Sequence, residues 1–397
     1  MIEPVPVSPS AAKAAYVELD ASAVRHNASV FRSLVGASAL GFVLKGNAYG
    51  HGFERMLPLV HPEAAWLYVI SPWDAVAIRA FEAKTQAPAR RLLVTGAMSG
   101  EEAAELSRQQ VEMTLADPSW HATAMHLRAR GLRARVHVFL DSGLGREGFR
   151  EAEVADLLDL LERNQDVLEP VGALSHFSNT EDVTEQSYAR EQMAAFERGC
   201  ARLSEHFPQV RWMRHFAASA ATLVLPDARY DAVRVGISLY GLWPSAETKV
   251  SMRVVLGAGT GVKLLPVMSV RCESQSVKWL EEGSYIGYGC TYRCDQRTRV
   301  AVLPVGYFDG YPRLVSGKAH VLVHGQRCRV LGRVMMNHLV VDVTQVRDGA
   351  ETLTATLLGR DGAESVTAEM LADWAQTISY EVVTGFGAHL RRVVTSP

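Results

Sequence analysis

The sequence predicts an α/β protein, with an N-terminal (β/α)8, TIM-type barrel followed by a C-terminal mainly-β domain. Three observations predict it. Apolar strand candidates at Leu40–Leu44, Trp66–Ile70, Arg91–Thr95, Val111–Leu115, Arg133–Leu140, Val167–Leu174, Arg211–Phe216 and Ala232–Val235 alternate with helical patterns. From about Ser251 the pattern changes to short β-rich runs, Val267–Cys272, Arg299–Pro304, Ala319–Val323 and Leu339–Val343, separated by glycine-containing turns. Finally, the ends of the eight N-terminal strands carry the chemically distinctive residues, as expected of a barrel that gathers its active site at the carboxyl ends of its strands.

In chain order, residues 1–14 lack any helical or strand period and read as a disordered lead-in, residues 15–250 as the barrel and residues 251–397 as the β-rich domain. The first strand, Ala15–Asp20, is free to join the C-terminal domain. Ser22–Val35 reads as a helix whose N-cap is Asp20 or Ser22. The next stretch, LGFVLKGNAYGHG from Leu40, organises the rest: its apolar run stops at Lys45, and Gly46, Asn47, Gly50 and Gly52 end the strand. A lysine delivered to a buried strand end is desolvated, which favours the neutral amine, the form that attacks a carbonyl to give a Schiff base. The alternative is a lysine that snorkels to solvent. Other strand ends carry DSGLGREGF from Asp141 (fifth), His176 (sixth), Ser219 (seventh), and Arg234, Gly236 and Ile237 (eighth). By contrast, His61, His121, His126 and His206 fall in helical or loop contexts without polar company and read as solvated or hydrogen-bonded histidines. Thr367–Ala375 is a late helix candidate before a strand-like tail.

Composition narrows the function. Among 397 residues, 48% are hydrophobic and 21% charged, and 41 basic side chains face 43 acidic ones, so no electrostatic footprint for nucleic acid or a membrane surface is present. The opening residues lack a basic region followed by an apolar core, and no apolar run reaches membrane-spanning length, which points to a cytoplasmic protein with a small-molecule substrate. The five cysteines are odd in number and lack CxxC pairing, so reduced thiols and no metal site are expected.

KGNAYGHG from Lys45, DSGLGREGF from Asp141, SHF from Ser175, VRVGISLYG from Val233, IGYGCTY from Ile286, LPVGYFDGYPR from Leu303 and LGRVMMNHLVVDV from Leu331 span both regions. In that order and spacing they resemble the alanine racemase family of pyridoxal 5'-phosphate (PLP) enzymes. The resemblance implies PLP on Lys45, with its phosphate bound by Tyr49, Ser219 and the backbone N–H groups of Gly236 and Ile237. It implies that Arg234 faces the pyridine nitrogen, with His176 beside the ring and hydrogen-bonded to Arg234. Arginine keeps its proton, so it hydrogen-bonds an unprotonated ring nitrogen and leaves the ring a weaker electron sink, which disfavours transamination. Lys45 and Tyr288 match the two bases that serve opposite faces of the substrate Cα. Tyr288, with Tyr307 and Met336, is implied to reach the cofactor of a partner subunit, hence a head-to-tail homodimer with composite sites. Arg146 matches the arginine that contacts the cofactor's phenolic oxygen and the substrate carboxylate.

Some positions depart from the family pattern. Phe139 stands where many members have a carbamylated lysine, which leaves Arg146 to find another partner: a bound chloride, Asn337, or the substrate carboxylate. Ala218 replaces a common asparagine, Asn337 an aspartate, and Ala388 a tyrosine found near the phosphate in some members. The function implied is interconversion of L- and D-alanine to supply D-alanine for peptidoglycan. The alternatives are a racemase of serine or of a broader range of amino acids, a PLP-dependent decarboxylase, and a non-catalytic PLP carrier. The Tyr288 motif speaks against the decarboxylase and the long C-terminal region against the carrier.

Overall fold

A computed structural model describes residues 15–181, 184–256, 261–347 and 352–395; the lead-in lies outside them. The chain divides into two units, one of Val24–Lys45 and Leu57–Leu265, the other of Met1–Ala23, Gly46–Met56 and Pro266–Pro397.

The first unit is a closed parallel barrel of β2 (Ala39–Val43), β3 (Trp66–Val69), β4 (Arg91–Val94), β5 (Glu112–Leu115), β6 (Ala134–Phe139), β7 (Leu168–Leu174), β8 (Met213–Ala218) and β9 (Ala232–Val235), with β9 pairing back onto β2. Every residue of β3, β5 and β9 is buried, because helices cover the outer face while side chains fill the interior. These strands match the apolar runs of the sequence to within a residue or two. The largest difference is in the seventh, which starts at Met213 because pairing with Gly172 begins there. Local chemistry sets the helix starts. Ser71 accepts the Trp73 N–H ahead of Pro72, and Ser99 and Glu102 form a capping box. In β2, a Cβ on Gly41 would lie 2.2 Å from Tyr68 Cε2, so glycine is what lets the Tyr68 ring pack there.

The second unit is built on a sheet in which β1 (Tyr16–Asp20) pairs antiparallel with Met268–Glu273 and parallel with the last strand, Arg391–Thr395. Asp20 is the N-cap of the following helix, Ala21–Val35: its Oδ1 accepts the N–H groups of Ser22 (2.7 Å) and Ala23 (3.1 Å). The expected helix near the C-terminus is present as Ala368–Ala375 with Thr367 as N-cap. A second helix, Ser379–Gly385, takes the place of part of the strand-like tail. Its Val382 and Val383 are buried, so tertiary packing overrides the β-branched preference of SYEVVTG. Among the described residues no helix is long and apolar enough to cross a membrane, no cluster of three or more His, Cys, Asp or Glu could hold a metal ion, and all five cysteines are free.

Candidate active site

In the barrel unit, β2 ends as Leu44 N–H donates to Tyr68 O (2.9 Å) and Lys45 follows at the strand's carboxyl end. The Lys45 side chain is accessible to solvent yet walled closely by protein. Desolvation, reinforced by the positive charges of Arg146 and Arg234, lowers its pKa, the direction that frees the amine for nucleophilic attack.

Arg234, on β9, is buried and held from two sides. Its Nη1 donates to His215 O (2.6 Å) and His215 Nδ1 (2.9 Å), and its Nη2 to Ser175 O (2.5 Å), Phe216 O (3.1 Å) and, more weakly, His176 Nδ1 (3.4 Å). Burial lowers the guanidinium pKa to about 10, so it stays charged at neutral pH. Among the described residues the Nε–H has no hydrogen-bond partner, which leaves one fixed, charged donor for a ligand atom. His176 is held neutral, its pKa pushed down to about 3 by burial and then by Arg234, Arg146 and Lys45.

Ser219, just past β8, accepts the Gly236 N–H at Oγ (2.9 Å), with Ser238 N at 3.4 Å. Gly236 opens the 3-10 turn Ile237–Tyr240, and Ser238 Oγ is buried with no hydrogen-bond partner among the described residues. Two hydroxyls and the chain turn at Gly236 thus lie together at the last two strands, where barrels of this kind bind phosphate.

The DSGLG turn is organised by Asp141, whose Oδ1 accepts the N–H groups of Gly143 (3.0 Å), Leu144 (2.9 Å) and Gly145 (3.1 Å). Phe139 is buried under the returning chain; a Cβ on Gly148 would lie 2.3 Å from its Cδ1. The expectation that Arg146 lacks a protein carboxylate is corrected here. Its Nη2 donates to Glu147 Oε1 (2.9 Å), and the side chain is 55% exposed, so the cost of an unpaired, desolvated cation does not arise.

In the other unit, the chain after Lys45 makes one left-handed turn, with φ of 60° at Gly46, 54° at Asn47, 53° at Ala48 and 52° at Tyr49. Each non-glycine residue in this conformation costs roughly 1–2 kcal/mol. The turn is held by Gly50 N–H to Gly46 O (2.9 Å), Gly52 N–H to Asn47 O (2.9 Å) and Phe53 N–H to Asn47 Oδ1 (2.8 Å). Tyr49 is buried against the ring of Tyr380, 6.3 Å away, and burial raises its phenol pKa. Tyr288 lies between Gly287 and Gly289, both at positive φ, with Gly289 packed close to the Arg333 guanidinium. Tyr307 and Met336 are brought together by Tyr307 N–H to Met335 O and Phe308 N–H to Met336 O, each 3.0 Å; a Cβ on Gly306 would clash with both methionine carbonyls. Tyr288, Tyr307 and Met336 are exposed by 72%, 43% and 54%.

The four histidines read as bystanders do have polar neighbours. His61 pairs with Glu82 (3.0 Å), His206 lies 3.4 Å from Glu162 and His121 3.4 Å from the Asn164 amide, while His126 Nε2 is 3.4 Å from Glu101 without a hydrogen bond among the described residues. Sequence reading missed Glu112, His137 and His215, which line the barrel interior behind Arg234, and Tyr380 beside Tyr49. The one available signal was a histidine alternating with valines in VHVF, an unusual polar residue for a strand buried on both faces.

A lysine, a charged donor and two buried hydroxyls gathered at the carboxyl ends of barrel strands define a candidate enzyme site of the (β/α)8 kind. Known proteins agree. The family profile described as alanine racemase, N-terminal domain, matches residues 19–244, and that described as alanine racemase, C-terminal domain, matches residues 267–394. An alanine racemase of Symbiobacterium thermophilum is 37% identical over 382 residues, covering 95% of this chain and 96% of that protein. The crystal structure of alanine racemase from D-cycloserine-producing Streptomyces lavendulae superposes with a TM-score of 0.87 at 32% identity, covering 98% of each chain. A histidine racemase of Leuconostoc mesenteroides superposes with a TM-score of 0.83 at 26% identity, covering 98% of this chain and 99% of that one. The chain belongs to the alanine racemase family.

Proposed function

We propose that this protein is a PLP-dependent racemase interconverting L- and D-alanine, acting in the cytoplasm as a head-to-tail homodimer and supplying D-alanine for peptidoglycan. The observation that carries the reading is the buried, charged Arg234, whose Nε–H alone of its donors is uncommitted among the described residues and shares the barrel's carboxyl face with the desolvated amine of Lys45. That pair fits a cofactor with an aldehyde at one end of a pyridine ring and its nitrogen at the other; the buried Ser238 Oγ beside Ser219, with no hydrogen-bond partner among the described residues, fits its phosphate. When bound, the cofactor supplies an electron-withdrawing ring that acidifies the substrate Cα–H.

The remaining work falls to side chains of this protein. Lys45 Nζ would hold the cofactor's aldehyde carbon and, once free, would take or return a proton on one face of Cα. The Tyr288 hydroxyl of a second copy serves the other face. Arg234 holds its own proton and donates a hydrogen bond without protonating the ring nitrogen. Arg146 orients the substrate carboxylate, exchanging Glu147 for it. His176, kept neutral, packs beside the ring without adding positive charge. Ser219, Gly236 and Ile237 would hold the phosphate. The large exposed side chains Tyr288, Tyr307 and Met336 support completion of each site by a second copy, since side chains of this size are more often buried.

Two experiments test this reading. Borohydride reduction of the PLP-loaded protein followed by peptide mapping is expected to place the adduct on Lys45; label on another lysine refutes the assignment. Mixing inactive Lys45→Ala and Tyr288→Phe proteins under subunit exchange is expected to restore part of the activity. No recovery despite demonstrated exchange would mean that each chain builds its own site.

A further inference from the structure

A continuous hydrogen-bonded chain runs through the barrel interior from Arg234 to a buried carboxylate. Arg234 Nη1 donates to His215 Nδ1 (2.9 Å), His215 Nε2 meets His137 Nδ1 (2.9 Å), and His137 Nε2 meets Glu112 Oε2 (2.8 Å). Both imidazoles are fully buried and Glu112 nearly so. Glu112 is pinned from its other side by Arg91, whose Nη2 reaches both oxygens (2.8 and 2.9 Å), and by Arg135 Nη1 (2.9 Å). These two arginines border an open cavity of about 710 Å³ at the amino ends of the strands.

The chain has one polarity. Arginine has no acceptor, so His215 Nδ1 must accept and its proton sits on Nε2. That proton is donated to His137 Nδ1, which puts the His137 proton on Nε2, where it is donated to the Glu112 carboxylate. Burial and the neighbouring arginines keep both rings neutral. The surroundings protect this order. Trp66 stands edge-on to His137 (5.4 Å) and, with Tyr68 (5.9 Å), walls His215. A Cβ on Gly172, in the strand between β6 and β8, would lie 2.2 Å from His137 Nδ1, so glycine there is what allows the two histidines to meet.

We propose that Glu112 and His137 are positioning residues that act on Arg234 through His215, holding its proton in place so that the racemase does not leak into transamination. A carboxylate accepting from His137 makes its Nδ1 a better acceptor; this makes His215 Nδ1 a better acceptor in turn and tightens the hold on the Arg234 proton. Without that charge, Arg234 is a stronger acid and shares its Nε proton more with the ring nitrogen of the cofactor. The leak is the exchange of amine for carbonyl oxygen, in which alanine and PLP leave as pyruvate and pyridoxamine phosphate. The functional half rests on the racemase reading; the structural half does not.

The structural half is tested on the cofactor-free protein by long-range 1H–15N NMR, with the two rings assigned by loss of signal in His137→Gln and His215→Gln. Both are expected as neutral Nε2–H tautomers between pH 6 and 8; an imidazolium or an Nδ1–H ring at either position overturns the chain. The functional half is tested with PLP-loaded Glu112→Gln, which keeps shape and acceptor but loses charge. Its ratio of pyruvate formed to alanine racemised is expected to rise about tenfold, the equivalent of one pKa unit on Arg234. An unchanged ratio in folded protein refutes the role. A wild-type protein that racemises nothing would instead sink the racemase reading while leaving the NMR result standing.

Discussion

Arg234→Lys keeps the positive charge and removes the fork, so it isolates what the guanidinium geometry contributes. The wild-type side chain serves four close acceptors, His215 O, His215 Nδ1, Ser175 O and Phe216 O, from two nitrogens. Lysine offers three N–H groups from a single point and cannot face both sides of that ring of acceptors. At least two acceptors lose their donor, at about 1–3 kcal/mol each. His215 O keeps a second, long bond from Ser175 N–H (3.4 Å), which pulls the sum to the lower half of that range. The expected destabilisation is therefore about 2–4 kcal/mol. Urea unfolding of the cofactor-free variant should show a lower midpoint at an unchanged m-value. A midpoint equal to that of wild type would refute the claim that this buried fork organises the strand ends.

Other outcomes follow from the same geometry. Gly50→Ala should cost more than about 3 kcal/mol in thermal unfolding, because its φ is 78° and the new methyl would lie 2.0 Å from Val383 O; Gly46→Ala, at φ 60° with open space, should cost only about 1–2 kcal/mol. Acylation of Lys45 in the cofactor-free protein should reach half-maximal rate at a lower pH than for the other lysines. The lowered pKa also means that the unfolded chain binds more protons between the folded and unfolded values, so this lysine's penalty to stability is present below the folded pKa and is relieved as pH rises through that window; a stability slope of opposite sign would contradict it. Because Phe139 offers no amine to carbamylate, turnover should be indifferent to bicarbonate at constant ionic strength, and a rate that rises with bicarbonate would overturn this.

The barrel was legible because its strands are buried on both faces and so stand out as apolar runs: Trp66–Val69 and Ala232–Val235 have sharp ends. Lys45, Arg234 and Ser219 were legible for the same reason, since a polar residue at the tip of such a run is conspicuous. What stayed hidden depends on contacts distant in sequence. Arg146 meets its immediate neighbour Glu147, and nothing in GREG distinguishes that pair from two solvated charges. The Glu112–His137–His215 chain joins residues on three strands, and Gly172, which makes room for it, is on a fourth; no local pattern records that meeting. The helix Ser379–Gly385 reads as a strand because its valines carry β propensity, and only its packing decides otherwise.

The most direct test of the central claim is to incubate the PLP-loaded protein with L-alanine in D2O, alongside serine, histidine and other L-amino acids, and to follow Cα deuteration and chirality together. Proton exchange on both faces by Lys45 and Tyr288 predicts deuterated D-alanine and, with time, deuterated L-alanine, with alanine turned over faster than the rest of the panel. Retention of the Cα proton with unchanged chirality in every substrate would contradict the account.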